Sequence, residues 1–279
     1  MKVIKAEYAG ACYGVKRVLD LAFEADDEGA GAFTLGPLIH NPKVVAQLAD
    51  RGIVEADDVE DVTPGATVVI RSHGVTPAVM RATAARTDKI IDATCPHVAR
   101  AQKAAGEMAE AYGLVVVVGE EGHPEVEGLV ARAREKGAKV VVVSGPDELP
   151  DDLYAPLGLV VQTTQKRETF NAVVDRLRAQ GLDPDVHDTI CFATRQRQDA
   201  AAELAHQVDA IVVIGGRNSS NTTRLASICR AVCPRTHHIE GPEEIDPAWF
   251  ADCETVGVTA GASTPEDQIE AVVRRLEQL

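Results

Sequence analysis

Cys12, Cys95 and Cys191 lie at near-equal intervals along the chain, and each stands at the same kind of place. Each follows a short apolar run and precedes a stretch with small or apolar residues at helical spacing. In KIIDATCPHVARAQ, Ile90 and Ile91 form the run and Pro96 suits a first helical turn. Val98, Ala101, Ala105 and Met108 then mark a helical stripe. ACYGV sets Cys12 before Val15, Val18, Leu19 and Ala22, and ICFAT sets Cys191 before Ala200, Ala201, Leu204 and Ala205. A thiol at a helix start meets the positive end of the helix dipole, which favours thiolate. Three thiolates are one short of the four that fully ligate a [4Fe–4S] cluster, so one iron would stay open to a substrate oxygen. Three unrelated buried thiols are the alternative, and the equivalent position of each cysteine argues against it.

Other chemistry-bearing residues fall at the ends of apolar runs. His40 lies in LIHNP, His73 in RSHGV, His123 and Glu125 in GHPEVEG, and Thr163 in QTTQ. Ser219, Ser220 and Asn221 lie in RNSSN, and Ser263 lies in TAGAS. Histidines, hydroxyls and an amide at strand-to-helix turns, backed by helix N–H groups, suit a phosphate or diphosphate. Any one Ser, Thr or Asn there could be a plain N-cap. Caps leave the histidines unexplained, and no H-x-x-x-H spacing supports a zinc site. Glu125 is the one acid beside a tip histidine within a Gly/Pro turn, and an enclosed carboxylic acid can donate a proton. Glu127 reads as a first-turn dipole residue, and Asp92 as a group that orients the Cys95 turn.

Positioning these groups requires alternating strands and helices. The runs ATVVI, GLVVVV, LGLVV, DAIVVI and TVGVTA read as buried strands, each leading through a polar tip into a helix. The expectation is an α/β protein of three small domains, with mainly parallel sheets in pseudo-threefold arrangement around a central cavity. Boundaries fall near the cysteines, at 1–95, 96–191 and 192–279, and the N-terminal strand can join the third sheet. The last helix opens with Thr264-Pro265-Glu266-Asp267, whose spacing predicts a capping box. Cys229, Cys233 and Cys253 lie outside the repeat and read as structural; a Cys229/Cys233 metal pair has no third ligand near in sequence.

The chain has 279 residues and a formal charge of −15, with 4% aromatic residues. That balance argues against general nucleic-acid binding, which needs a basic footprint and stacking side chains. A local basic cleft for an anionic substrate is compatible with it. The N-terminus lacks signal-peptide anatomy, no apolar run is long enough for a membrane, and the expectation is a cytoplasmic protein.

Taken together and in order, ACYGV, LIHNP, RSHGV, DATCP, GHPEVEG, QTTQ, ICFAT, RNSSN and TAGAS resemble the 4-hydroxy-3-methylbut-2-enyl diphosphate reductase family of the non-mevalonate isoprenoid pathway. The resemblance runs from Cys12 to Ser263. It implies one [4Fe–4S] cluster held by Cys12, Cys95 and Cys191, with one open iron that binds the allylic hydroxyl. It implies a substrate site of His40, His73, His123, Ser219, Ser220, Asn221 and Ser263, with Thr163 near the hydroxyl and Glu125 delivering protons. The reaction would yield isopentenyl and dimethylallyl diphosphate, with a ferredoxin- or flavodoxin-type electron donor. Ala11 and Tyr13 depart from many relatives, which carry a larger residue before the cysteine and a smaller one after it. The competing readings are a metal-dependent hydrolase or lyase, an iron–sulfur redox sensor, and a phosphometabolite-binding protein. A hydrolase needs no cluster, and a sensor needs neither proton donor nor polar cavity.

Overall fold

The computed structural model describes residues 1–26 and 31–279. In the first part of the chain the elements are β1 (Lys2–Lys5), α1 (Tyr13–Asp26), β2 (Ala32–Leu35), α2 (Pro42–Asp50), β3 (Ile53–Ala56), β4 (Thr67–Ile70), α3 (Pro77–Arg86) and β5 (Ile90–Asp92). They are followed by α4 (Pro96–Tyr112), β6 (Leu114–Val118), α5 (Pro124–Glu135), β7 (Lys139–Val143), β8 (Gly158–Val161), α6 (Arg167–Ala179) and β9 (Asp185–His187). The chain ends with α7 (Phe192–Ala205), β10 (Ala210–Ile214), α8 (Ser220–Val232), β11 (Thr236–Ile239), β12 (Thr255–Ala260) and α9 (Glu266–Glu277).

These elements form two compact units: Met1–Lys16 with His40–Val44 and Phe192–Leu279, and Arg17–Ile39 with Val45–Cys191. The first unit holds one four-stranded sheet, ordered β1-β12-β10-β11. The second holds two, ordered β3-β2-β4-β5 and β7-β6-β8-β9. Every pairing is parallel. The three orders are the same order: a strand that leads into a cysteine turn (β1, β5 or β9) always takes one edge. Pairing of β1 with β12, Lys2 opposite Thr255, gives the first unit's sheet its cysteine strand from the far end of the chain.

The central strands are continuous Val/Ile/Leu runs because both sheet faces are covered. In β6, Leu114, Val116 and Val118 pack with Phe170, Val173 and Leu177 of α6. Val115 and Val117 point the other way, against Ala101 and Ala105 of α4 and Leu129 of α5. In β10, Ala210, Val212 and Ile214 meet Ile269, Val272 and Leu276 of α9, while Ile211 and Val213 meet Leu204 of α7 and Leu225 of α8. Burial of each such Val, Leu or Ile side chain contributes about 1.5–3 kcal/mol. No helix among the described residues is long and apolar enough to cross a membrane.

One expectation fails at the last helix. Pro265, not Thr264, is the residue flanking α9, and no side chain caps it. The Thr264 hydroxyl donates instead to the Ile214 carbonyl at 3.1 Å, because a wholly buried hydroxyl at the end of β10 needs that acceptor.

At the β11 edge, His237 stacks on Trp249 with ring centroids 4.1 Å apart and planes 4° from parallel. Burial, then the nearby Arg230 cation, holds the His237 pKa below its ordinary value. A histidine whose folded pKa is depressed favours the neutral form in the native state. Its contribution is present above the unfolded pKa and is lost as pH falls below about 6.5. An acid titration followed by denaturation is expected to show stability declining through that window, and Trp249, the single tryptophan, reports the change by its fluorescence.

Candidate functional site

Each cysteine is fixed by the same backbone interaction. The Cys95 N–H donates to the Ser72 carbonyl at 2.9 Å, the Cys191 N–H to the Thr163 carbonyl at 2.9 Å, and the Cys12 N–H to the Ala262 carbonyl at 3.1 Å. Parallel pairing thus continues past the strand ends into the turns, and ties each cysteine backbone to the polar tip of the neighbouring strand. The chain then turns straight into α1, α4 or α7. The Cys12 and Cys95 carbonyls accept the first helical hydrogen bonds, from Lys16 and Ala99, both at 2.9 Å. The Cys12 Sγ accepts from the Val15 N–H at 3.5 Å, which puts this sulfur over the positive helix end. All three cysteines are half-buried.

In the second unit, Asp92 orients the Cys95 turn as expected. Its Oδ1 accepts from the Thr94 N–H at 3.0 Å and the Thr94 hydroxyl at 2.5 Å. The Arg17 guanidinium donates to the Thr94 and Asp92 carbonyls from the other side. His123 caps α5, its Nδ1 accepting from the Glu125 N–H at 3.1 Å. That bond makes Nδ1 the acceptor and leaves the ring proton on Nε2. The His73 and His123 rings meet edge to face at 5.4 Å. Glu125 is 1% exposed. Its Oε1 accepts from the Thr163 N–H at 2.6 Å and its Oε2 from the Thr163 hydroxyl at 2.8 Å. This unit therefore joins His123, Glu125 and Thr163 into one chain of contacts. Thr163 is also the residue whose carbonyl holds Cys191.

In the first unit, His40, Ser219, Ser220, Asn221 and Ser263 lie at the ends of β10 and β12 and beside α2. The Ser263 hydroxyl donates to the His40 carbonyl at 3.1 Å. Ser219 is an N-cap in the ordinary sense, accepting from the Thr222 N–H at 3.4 Å. Asn41, next to His40, is committed to structure: its amide donates to the Ser263 carbonyl and to Gln268, and its Oδ1 caps α2. Asn221 differs. It is 6% exposed, yet neither its amide nitrogen nor its oxygen has a hydrogen-bond partner among the described residues. Burying such an amide without partners is costly to the fold.

Two positioning residues carry no signal in the sequence. Gln102, on α4, donates to the His73 carbonyl at 3.4 Å. Gly74, at φ +69°, and Gly128 make room for it, since a Cβ on either would approach the Gln102 amide nitrogen to 2.8 and 2.6 Å. Arg197, on α7, donates from Nε and Nη2 to the Gly10 carbonyl at 3.1 and 2.6 Å and so pins the loop before Cys12. Both read as polar positions of a helix; their carbonyl partners lie far away in sequence.

Cys229 and Cys233 are buried free thiols. Burial pushes the Cys229 thiol up to about 12 and raises Cys233 as well, so neither forms thiolate at neutral pH. A maleimide is expected to leave Cys229 unmodified in the native chain and to label it after denaturation, read by peptide mass. Asn221→Ala is expected to leave folding stability unchanged or raised by about 1 kcal/mol, measured in urea, because no protein hydrogen bond is lost.

The parallel three-sheet fold and these tips define a class. A family model described as LytB protein matches residues 3–277, and the chain belongs to that family. It is 46% identical over its full length, and over 98% of the relative, to a 4-hydroxy-3-methylbut-2-enyl diphosphate reductase of a Geobacter species. It is equally 46% identical to the protein of that name in Trichlorobacter lovleyi, covering 99% of it. A solved (E)-4-hydroxy-3-methyl-but-2-enyl diphosphate reductase, described as the terminal enzyme of the non-mevalonate pathway, aligns over 100% of both chains at 41% identity, with a TM-score of 0.73. A Plasmodium falciparum E-1-hydroxy-2-methyl-but-2-enyl-4-diphosphate reductase shares the fold, with a TM-score of 0.90 at 23% identity over 98% of this chain and 87% of that one.

Proposed function

We propose that the chain reduces 4-hydroxy-3-methylbut-2-enyl diphosphate to isopentenyl and dimethylallyl diphosphate, the last step of the non-mevalonate isoprenoid pathway. Two electrons and two protons enter, the allylic C–O bond breaks, and the oxygen leaves as water. The observation that carries this reading is the Glu125 carboxylate, wholly buried and held at both oxygens by Thr163. A phosphometabolite sensor gives that pair nothing to do. The relatives' shared activity supports the same reading.

Cys12, Cys95 and Cys191 would hold the cofactor, a [4Fe–4S] cluster with one iron lacking a cysteine. The donor set suits it: three half-buried sulfurs at helix starts, with like backbone anchoring. When bound, the cluster supplies electrons singly and Lewis acidity toward the leaving oxygen.

The chain's own groups do the rest. With Glu125 ionised, Thr163 turns its hydroxyl proton toward the carboxylate. Protonation of Glu125 reverses that bond, so the Thr163 hydroxyl accepts from the acid and presents its own proton outward. The pair can thus hand a proton to the leaving hydroxyl and be reloaded. His123, neutral with its proton on Nε2, donates without adding charge at the α5 start.

The diphosphate falls to His40, His73, Ser219, Ser220, Asn221 and Ser263. The N-terminus of α8 favours an anion, since it bears N–H groups and no acid in its first turn.

Anaerobically purified protein is expected to be brown, to carry about four irons per chain, and to consume the allylic diphosphate with reduced viologen. Colourless protein with one zinc per chain rejects the reading. Glu125→Gln is expected to keep the cluster absorbance and diphosphate binding while turnover drops by about 100-fold or more; undiminished turnover removes Glu125 from its role.

A further inference from the structure

The first unit exposes aromatic side chains where a small, acidic protein has least reason to. Tyr13 and Phe192 are 72% and 61% exposed, and Tyr8 is 39% exposed. Of the exposed aromatic residues among those described, only Tyr154 lies elsewhere in the sequence. Tyr13 is the first residue of α1, directly after Cys12, and Phe192 is the first of α7, directly after Cys191. Tyr8 lies in the loop leading to Cys12. The Arg197 bonds to the Gly10 carbonyl tie α7, which Phe192 opens, to the loop that carries Tyr8 and leads to Tyr13. Partly exposed aromatics grouped in this way mark contact surfaces.

The charge at the same place runs against the rest of the molecule. Lys16 and Arg195 occupy the fourth position of α1 and of α7, and both are exposed. Neither has an acidic partner among the described residues, and neither helix has an acid in its first turn. A cation near a helix start opposes the helix dipole, so these residues do not serve helix stability. Glu7 adjoins Tyr8, Asp20 and Asp199 follow the two cations by one helical turn without pairing to them, and Lys5 is already paired with Glu266. On a body of formal charge −15, two unpartnered cations around aromatic side chains make a local landing place for an acidic surface.

The reduction needs two electrons that the substrate and the chain do not supply. We propose that Tyr8, Tyr13 and Phe192, flanked by Lys16 and Arg195, form the docking face for an acidic, ferredoxin-type one-electron carrier protein. The inference rests on the reductase reading, which makes Cys12 and Cys191 ligands of the electron acceptor. Tyr13 and Phe192 then each stand one residue from a sulfur that the electrons must reach, and Tyr8 lies four residues before Cys12. A small apolar centre with a charged rim suits a brief encounter, and such redox contacts are small.

The test compares two electron sources on the iron-loaded enzyme. Reduced methyl viologen is a small dye that needs no docking face; reduced ferredoxin needs one. For Lys16→Glu/Arg195→Glu, ferredoxin-driven kcat/KM is expected to fall by about tenfold or more and to lose its salt dependence, with viologen-driven turnover within about twofold of the parent. Tyr13→Ser/Phe192→Ser is expected to show the same split at unchanged iron content. Equal losses with both donors, or no loss with ferredoxin, overturn the proposal. So does a loss confined to flavodoxin, or a dimer of the parent chain that the charge reversals dissolve in the ultracentrifuge. If the parent chain fails to turn over with viologen, the reductase reading itself falls, which is a separate result.

Discussion

A backbone hydrogen bond just beyond the end of a parallel strand pair underlies the whole arrangement. In each sheet it links a cysteine N–H to a carbonyl in the neighbouring polar tip: Ser72 for Cys95, Thr163 for Cys191, Ala262 for Cys12. A parallel ladder has an even spacing, so continuing it by one step fixes both where the thiol stands and which side chain stands next to it. The cysteine strand at the sheet edge needs only three or four residues to do this. The helix that follows then supplies a positive end, which a neutral loop would not. Placement of each sulfur is the consequence of one turn geometry used three times.

Around that frame the polar tips divide by what their hydrogen bonds are spent on. Asn41 and Thr264 are consumed in capping or in ties to carbonyls, and they hold the turns. Glu125 and Thr163 are consumed on each other, which fits a pair that exchanges a proton without moving. Asn221 is buried with no partner among the described residues, so the folded chain bears the cost of burying that amide.

Exposed features follow the same economy of position. Aromatic side chains in this chain are few, and only Phe170 and Phe250 are fully packed inside. Tyr13 and Phe192, the first residues of α1 and α7, stay outside. The Arg197 guanidinium, which could have stood in solvent, is instead buried against the Gly10 carbonyl. It fixes the two helix starts relative to each other within their unit, and with them the surface those starts present.

The amino-acid sequence by itself determined the alternation of strands and helices, the three cysteine turns and the identity of most polar tips. These are local matters: β-branched runs, proline at a first helical turn, and a period of 3.6 leave direct marks in the chain. It also carried the family resemblance, through short motifs in order. Only the tertiary structure decided that β1 pairs with β12 and that Arg197 serves Gly10. It alone showed that Gln102 serves His73, that Thr264 abandons the helix it precedes, and that Asn221 is buried without a partner among the described residues. The reason is physical. A hydrogen bond between a side chain and a distant carbonyl has no periodicity and no spacing rule, so it exists only once the sheets have brought its two ends together.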